Sequence, residues 1–280
     1  MCRPEFPSCL YFISVYFCAK LITKHGHPLA KQEKKSKKSA GGFFKQVKRW
    51  IRILFVLHIQ WSLIFLCLYR VLPVPLTPLH IIRLFEENKT DKDRKIVHDW
   101  RSLEKMSPNM PLAVVTSEDP MFFEHHGFDF EQIKNSVEHN LEKGKKLRGA
   151  STISQQTAKN LFLWPSRSWI RKGIEVYFTV MMEACWTKRR ILEVYLNIIE
   201  MGDGIYGAEA ASQTYFHKSS EKLSKSEAAL IAAVLPNPRR WHPDKPTPFI
   251  RKKQIKIIRY MKYVDMSPLK APQPEDKKKD

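Results

Sequence analysis

Apolar positions along the chain form one long run and several shorter helical rhythms. The run is Ile53–Tyr69, ILFVLHIQWSLIFLCLY, and it extends through Arg70 to Leu72. Roughly 20 residues of this kind are needed to cross a bilayer as a helix. Residues 53–72 are therefore predicted to be a transmembrane helix, with a buried core helix as the competing reading. His58, Gln60 and Ser62 interrupt the run, whereas Trp50, Trp61 and Tyr69 suit the membrane interfaces. Pro73, Pro75 and Pro78 end the helix and predict an extended stalk over 73–95. The earlier stretch Cys9–Ala19 is apolar but too short to span. It fits a signal-type core without a cleavage site, or upstream sequence added by a misplaced start, and the sequence does not choose between them.

Residues 96–266 read as one helical domain. Glu131–Lys143 has spaced apolar residues and stops at Gly144. Ile170–Trp186 places Ile174, Phe178, Met181, Met182 and Cys185 at intervals of three and four. Lys188–Asn197 gathers Ile191, Leu192, Tyr195 and Leu196 on one side. Ser224-Lys225-Ser226-Glu227 is a capping box ahead of Ala228–Leu235, and Pro236-Asn237-Pro238 stops that helix. β-branched alternation is scarce and no internal repeat occurs. The predicted class is all-α.

Charge changes the picture at the ends. The net charge of +20 is concentrated in residues 1–52, with 12 Lys/Arg against Glu5 and Glu33, and in 251–280, with 10 Lys/Arg against four acids. The middle of the chain is close to balanced. A nucleic-acid partner would rest on the total alone, so none is expected; basic ends of this kind are solvated arms or contacts to anionic lipid. Lys45, Lys48, Arg49 and Arg52 precede the apolar run, which predicts a cytoplasmic N-terminus and everything after Leu72 outside. Cys2, Cys9, Cys18, Cys67 and Cys185 form neither a disulfide framework nor a CxxC metal site.

Candidate chemistry is concentrated in three segments. Glu118–Asp129 sets Glu118, Asp119 and Asp129 beside His125 and the aromatic pair Phe122-Phe123. A carboxylate held against apolar rings makes a useful general base near neutral pH; a capped, solvated turn is the alternative. Gly149–Gln156, GASTISQQ, follows the basic run Lys145–Arg148. Its hydroxyls and amides, with Arg148 and Lys159, suit an anion, and a helix starting near Ser151 would add free N–H groups. The alternative there is a plain Ser/Thr cap. Arg171 and Glu175 share a helix face, and Arg167, Arg171 and Lys172 together suit a pyrophosphate. A surface ion pair is the alternative there. Lys188–Asn197 and Gly202–Gly207, leading into Ala208–Phe216, read as scaffold.

Five segments occur in order: Glu-Asp-x-x-Phe-x-x-His-x-Gly-x-Asp from Glu118, Gly-x-Ser-Thr-x-x-Gln-Gln from Gly149, Arg-Lys-x-x-Glu from Arg171, Lys-x-x-Ile-Leu-Glu-x-Tyr-Leu-Asn from Lys188, and Gly-x-Gly-x-x-Gly-x-x-Ala-Ala-x-x-x-Tyr-Phe from Gly202. Together they resemble the glycosyltransferase family 51 peptidoglycan polymerases over Pro73–His242. The resemblance is to the monofunctional branch, because the tail after Met266 leaves no room for a transpeptidase domain. Residues 1–40 resemble no part of the family.

The resemblance implies a lysozyme-like, two-lobed helical fold behind a single-pass anchor in the bacterial inner membrane, with the catalytic domain in the periplasm. It implies polymerisation of lipid II onto a growing glycan that leaves undecaprenyl pyrophosphate. Glu118 would be the base and Glu175 a second carboxylate, positioning cations or a divalent metal. Arg148, Lys159, Arg167, Arg171 and Lys172 would meet the pyrophosphate; Ser151, Thr152, Gln155 and Gln156 would line the donor side, with Asp119 and Phe122 also at the substrate. No cofactor is obligatory, Mg or Mn being admissible, and partners would be the lipid-linked substrates, the membrane and other cell-wall synthesis proteins. Two readings of other classes compete: an anchored muramidase-like hydrolase, for which the cations would be idle, and a non-enzymatic basic binder.

Overall fold

The apolar run starts earlier than predicted. In the computed structural model, which describes residues 39–87, 96–143, 151–166 and 168–269, helix α1 spans Ser39–Tyr69. It takes in Lys45, Lys48, Arg49 and Arg52, since Lys and Arg are good helix formers and nothing ahead of Ile53 breaks the turn. Over Phe44–Tyr69 the helix is long and apolar enough to cross a membrane, by length and composition. Residues 1–67 and 68–280 are distinct units, and the second carries all five segments.

Of the predicted stalk over 73–95, residues 88–95 lie outside the described residues, and what precedes them is not extended throughout. Helix α2 spans Pro78–Glu87, with Pro78 in its first turn, where its missing N–H costs nothing. Thr77 Oγ1 accepts from the amide of His80 at 3.3 Å and caps the start. The short strand β1, Val97–His98, and a 3₁₀ turn at Leu103–Lys105 lead into helix α3, Asn109–Glu118.

Helix α3 buries Met110, Ala113, Val114, Val115 and Thr116, so it is apolar around most of its circumference and occupies the core. Asp119 precedes Pro120, which disfavours a further helical residue there, so the helix stops at Glu118. Helix α4, Phe130–Lys143, begins where Asp129 Oδ1 accepts from the amide of Gln132 at 2.7 Å. Asp129, a carboxylate of the first segment, is thus an N-cap.

Helices α5 (Ile153–Phe162), α6 (Trp169–Cys185) and α7 (Lys188–Ile198) pack together. Strands β2 (Glu200–Gly202) and β3 (Ile205–Tyr206) complete a three-stranded sheet of order β1-β3-β2, β3 pairing parallel to β1 and antiparallel to β2. Asn197, the last residue of the fourth segment, ties α7 to the incoming chain. Its side chain accepts from the Arg101 amide and donates to the Arg101 carbonyl, both at 2.8 Å. Gly207 begins helix α8, Ala208–Phe216, with φ of 85°. A Cβ there would sit 2.6 Å from the Asn197 carbonyl oxygen, so only glycine fits.

Helix α9, Lys225–Val234, carries the capping box read from Ser224 and Glu227. Every residue from Ala228 to Val234 is buried, and the helix packs chiefly on α3 and on helix α10, Pro248–Tyr260. Its four alanines let the neighbouring backbones approach closely. The described residues of this unit are therefore mostly helical, with strands confined to seven residues of one small sheet.

Candidate active site

Glu118 ends the core helix α3 half-buried, at the junction of two hollows. The larger, about 1140 Å³, is lined by Ser151, Gln156, Lys253, Lys256, Tyr260 and Tyr263 among others. The smaller, about 600 Å³, is lined by Gln156, Lys159, Trp164, Arg171 and Glu200. Glu118 and Gln156 face both.

Burial pushes the Glu118 carboxyl above the ordinary carboxylate range, and Asp119 adds to the rise. The Gln156 amide, which donates to Glu118 Oε2 at 3.0 Å, works against it, as do Lys253 and Lys159. A carboxylate that is ionisable yet reluctant is suited to take a proton near neutral pH. Burial likewise lowers Lys159, while Glu175 and Glu118 favour its charged form.

Glu175 is 3 % exposed and has both oxygens occupied. Oε2 accepts from Arg171 Nη1 at 2.9 Å, and Oε1 is held by Lys172. The Arg171–Glu175 pair is therefore not the loose surface bridge of the alternative reading. Arg171 reaches the smaller hollow, and Glu175 stands behind it, fixing the guanidinium. Each Glu175 oxygen is thus met by a cationic side chain of its own helix. Among the described residues no group of three His, Cys, Asp or Glu side chains is placed to hold a metal ion.

The second segment takes the Ser/Thr-cap reading: helix α5 starts at Ile153, near Ser151, with Thr152 as N-cap in a full capping box with Gln155. The Ile153 amide donates to Asp119 Oδ2 at 2.9 Å, and the Gln155 amide to Thr152 Oγ1 at 3.2 Å. The helix N-terminus does attract an anion, but that anion is the protein's own Asp119. His125 Nε2 lies 3.0 Å from both Asp119 oxygens, and Nδ1 accepts from the Gly127 amide. Thr152 Oγ1 donates to the Gly127 carbonyl at 2.7 Å. Asp119, Thr152 and Gln155 thus join the first two segments rather than line either hollow.

Phe122 is fully buried, with the Lys188 ammonium 4.6 Å from its ring centre, and also faces neither hollow. Lys188 bonds Glu183 at 2.8 Å, and Glu183 also holds Ser154. Of the predicted residues, Glu118, Ser151, Gln156, Lys159 and Arg171 meet at the hollows, while Glu175 and Lys172 lie just behind. Arg148 and Arg167 lie outside the described residues.

Sequence reading missed two contributors. Tyr195, assigned to scaffold, is fully buried and donates to Gln156 Oε1 at 3.2 Å. Lys253, counted in a basic tail, is half-buried in the larger hollow, donating to the Ala233 carbonyl at 3.0 Å. The signal for Lys253 was its place between Ile250 and Ile257, both buried positions of α10.

A half-buried carboxylate at the end of a core helix, with cations on either side, is the arrangement expected of a group-transfer enzyme acting on an anionic leaving group. The chain belongs to the transglycosylase family, whose sequence profile matches residues 86–262. It is 47 % identical over 234 residues to the biosynthetic peptidoglycan transglycosylase of Bacteroides thetaiotaomicron, covering 84 % of this chain and 94 % of that one. It is 48 % identical to the proteins of that name from Bdellovibrio bacteriovorus, over 77 % of this chain and 86 % of the relative, and Mannheimia succiniciproducens, over 84 % and 95 %.

Proposed function

We propose that this chain is a membrane-anchored peptidoglycan glycosyltransferase that polymerises lipid II into β-1,4 glycan. The observation that carries the reading is Glu118 at the junction of the two hollows, with Lys159 and Arg171 facing the smaller one. Glu118 takes the proton from the 4-hydroxyl of the incoming sugar. That oxygen attacks the anomeric carbon of the lipid-linked glycan, a new glycosidic bond forms with inversion, and the bond to the pyrophosphate breaks. The leaving electrons go to undecaprenyl pyrophosphate, whose charge Lys159 and Arg171 stabilise, with Arg148 and Arg167 as further candidates. An activated pyrophosphate needs no strong acid to leave, which explains why cations stand where a hydrolytic glycosidase keeps a second carboxylic acid. No cofactor enters the scheme.

The helix Phe44–Tyr69 would hold the enzyme at the lipid substrate, in the inner membrane with Lys45, Lys48, Arg49 and Arg52 inside and the catalytic domain outside. The test is incubation of the purified full-length protein with lipid II, followed by separation of polymer from monomer. Glu118→Gln, which keeps shape and hydrogen bonding, is expected to lose at least about 100-fold in rate, the low end for acid–base catalysis. Near-normal polymerisation by that variant rejects the assignment, and cleavage of finished glycan in place of polymerisation supports the hydrolase instead.

A further inference from the structure

The general base is held by an amide whose orientation has to be set. Gln156 Nε2 donates to Glu118 Oε2 at 3.0 Å and approaches the Ser151 carbonyl at 3.4 Å, while Gln156 Oε1 accepts from Tyr195 Oη at 3.2 Å. A carbonyl and a carboxylate accept only, so the NH₂ end must face Glu118 and the oxygen must find a donor elsewhere. The Tyr195 hydroxyl supplies it. Resting on the proposed reaction, we propose that Tyr195 is a positioning residue for it, fixing the Gln156 amide so that the ionised form of Glu118 is always met by a donor.

Without that hydroxyl the amide oxygen loses its directed protein donor and meets only solvent of the hollows, so nothing fixes which way the amide points. Glu118 then loses the contact that most strongly opposes the effect of its burial. The remaining charges around it are Lys159 from α5, Lys253 from α10 and the adjacent Asp119, with Glu124, Lys256 and Asp265 further along the larger hollow and Arg83, Arg171 and Glu200 along the smaller. None of them replaces a directed hydrogen bond. Burial, with Glu118 and Asp119 nearby, raises Tyr195 well above the ordinary phenol range, so its proton stays in place as a donor.

The test is Tyr195→Phe in the full-length protein, which keeps the buried ring. The base must be ionised, so polymerisation falls as pH drops through its pKa, and losing a bond to the charged form moves this acidic limb upward. The expected shift is about one pH unit, the scale of one hydrogen bond to a charged group, with the rate recovering towards wild type on the alkaline side. In a Gln156→Leu background the same substitution adds no further shift. A uniform rate loss with an unmoved limb, or an additional shift without Gln156, overturns the proposal. Should the Phe variant not fold, 3-fluorotyrosine at 195 keeps the packing and strengthens the donor, and the limb is expected to move down; an unmoved limb overturns the proposal equally. Carbon-13 titration of the Glu118 carboxyl, identified by difference against Glu118→Gln, reads the same shift without substrate. A wild-type protein that leaves lipid II untouched yet shows this titration shift sinks the proposed function and leaves the positioning role standing.

Discussion

At the scale of residues, function and stability pull on different lysines. Lys159 faces the smaller hollow with its charge opposed by burial and favoured by Glu175. Lys188 is already committed to Glu183 and to the Phe122 ring. Lys159→Ala is expected to lower polymerisation at least about tenfold, one charge-assisted contact to the leaving group, with little change in Tm. Lys188→Ala is expected to cost about 1–3 kcal/mol of stability, because Glu183 keeps only Ser154, and to leave more activity per folded molecule. Rates in the opposite order would exchange the roles of the two segments. Glu118 adds a sign that can be worked out. Its folded pKa is raised, so its contribution to stability is present below the unfolded value and is lost as pH rises through the folded one. Above the folded pKa the carboxylate is a cost to the fold, and Glu118→Gln is expected to match or exceed the wild-type Tm there while inactive. A thermal melt showing a clear drop would mark Glu118 as structural.

At the scale of elements, two capping boxes separate local stability from catalysis. Ser224 and Glu227 cap α9 at an exposed end. Thr152 and Gln155 cap α5, and Thr152 also holds the Gly127 carbonyl. Replacing either the threonine or the serine by alanine is expected to cost about 0.5–2 kcal/mol. Only α5 carries Gln156 and Lys159 to Glu118, so Thr152→Ala is expected to reduce polymerisation as well, whereas Ser224→Ala leaves it intact. Denaturation curves and rates on the same preparations check this, and equal rate losses would contradict it. The Ser224 box consists of neighbours in the chain, which is why it located α9 within a few residues, as apolar periodicity located α6. The stalk misled because Pro78, read as a breaker, also suits a first helical turn.

At the scale of the whole molecule, the helix Phe44–Tyr69 and its leading cations set an expectation for topology. A phosphatase joined after residue 266 is expected to be active outside the cytoplasmic membrane, on the same side as the catalytic domain. Reporter activity confined to the cytoplasm would reverse the orientation and remove access to lipid-linked substrate exported to the outer face.

The sequence by itself determined what depends on neighbours along the chain: the apolar span, the helical class, the cap at Ser224, and the ordered segments that contain Glu118, Gln156 and Arg171. Tertiary structure alone decided what depends on partners far apart. Asp119 and Ile153 are separated by 34 positions, and Gln156 and Tyr195 by 39. No local rhythm reveals that the first pair turns a candidate anion site into an internal cap, or that the second joins the amide that contacts Glu118 to a buried tyrosine. A hydrogen bond is short and directional while sequence separation carries no direction. The chemistry-bearing residues were therefore legible as types, and their division into those that face the hollows and those that hold them in place was written only in the packing of α3, α5 and α7.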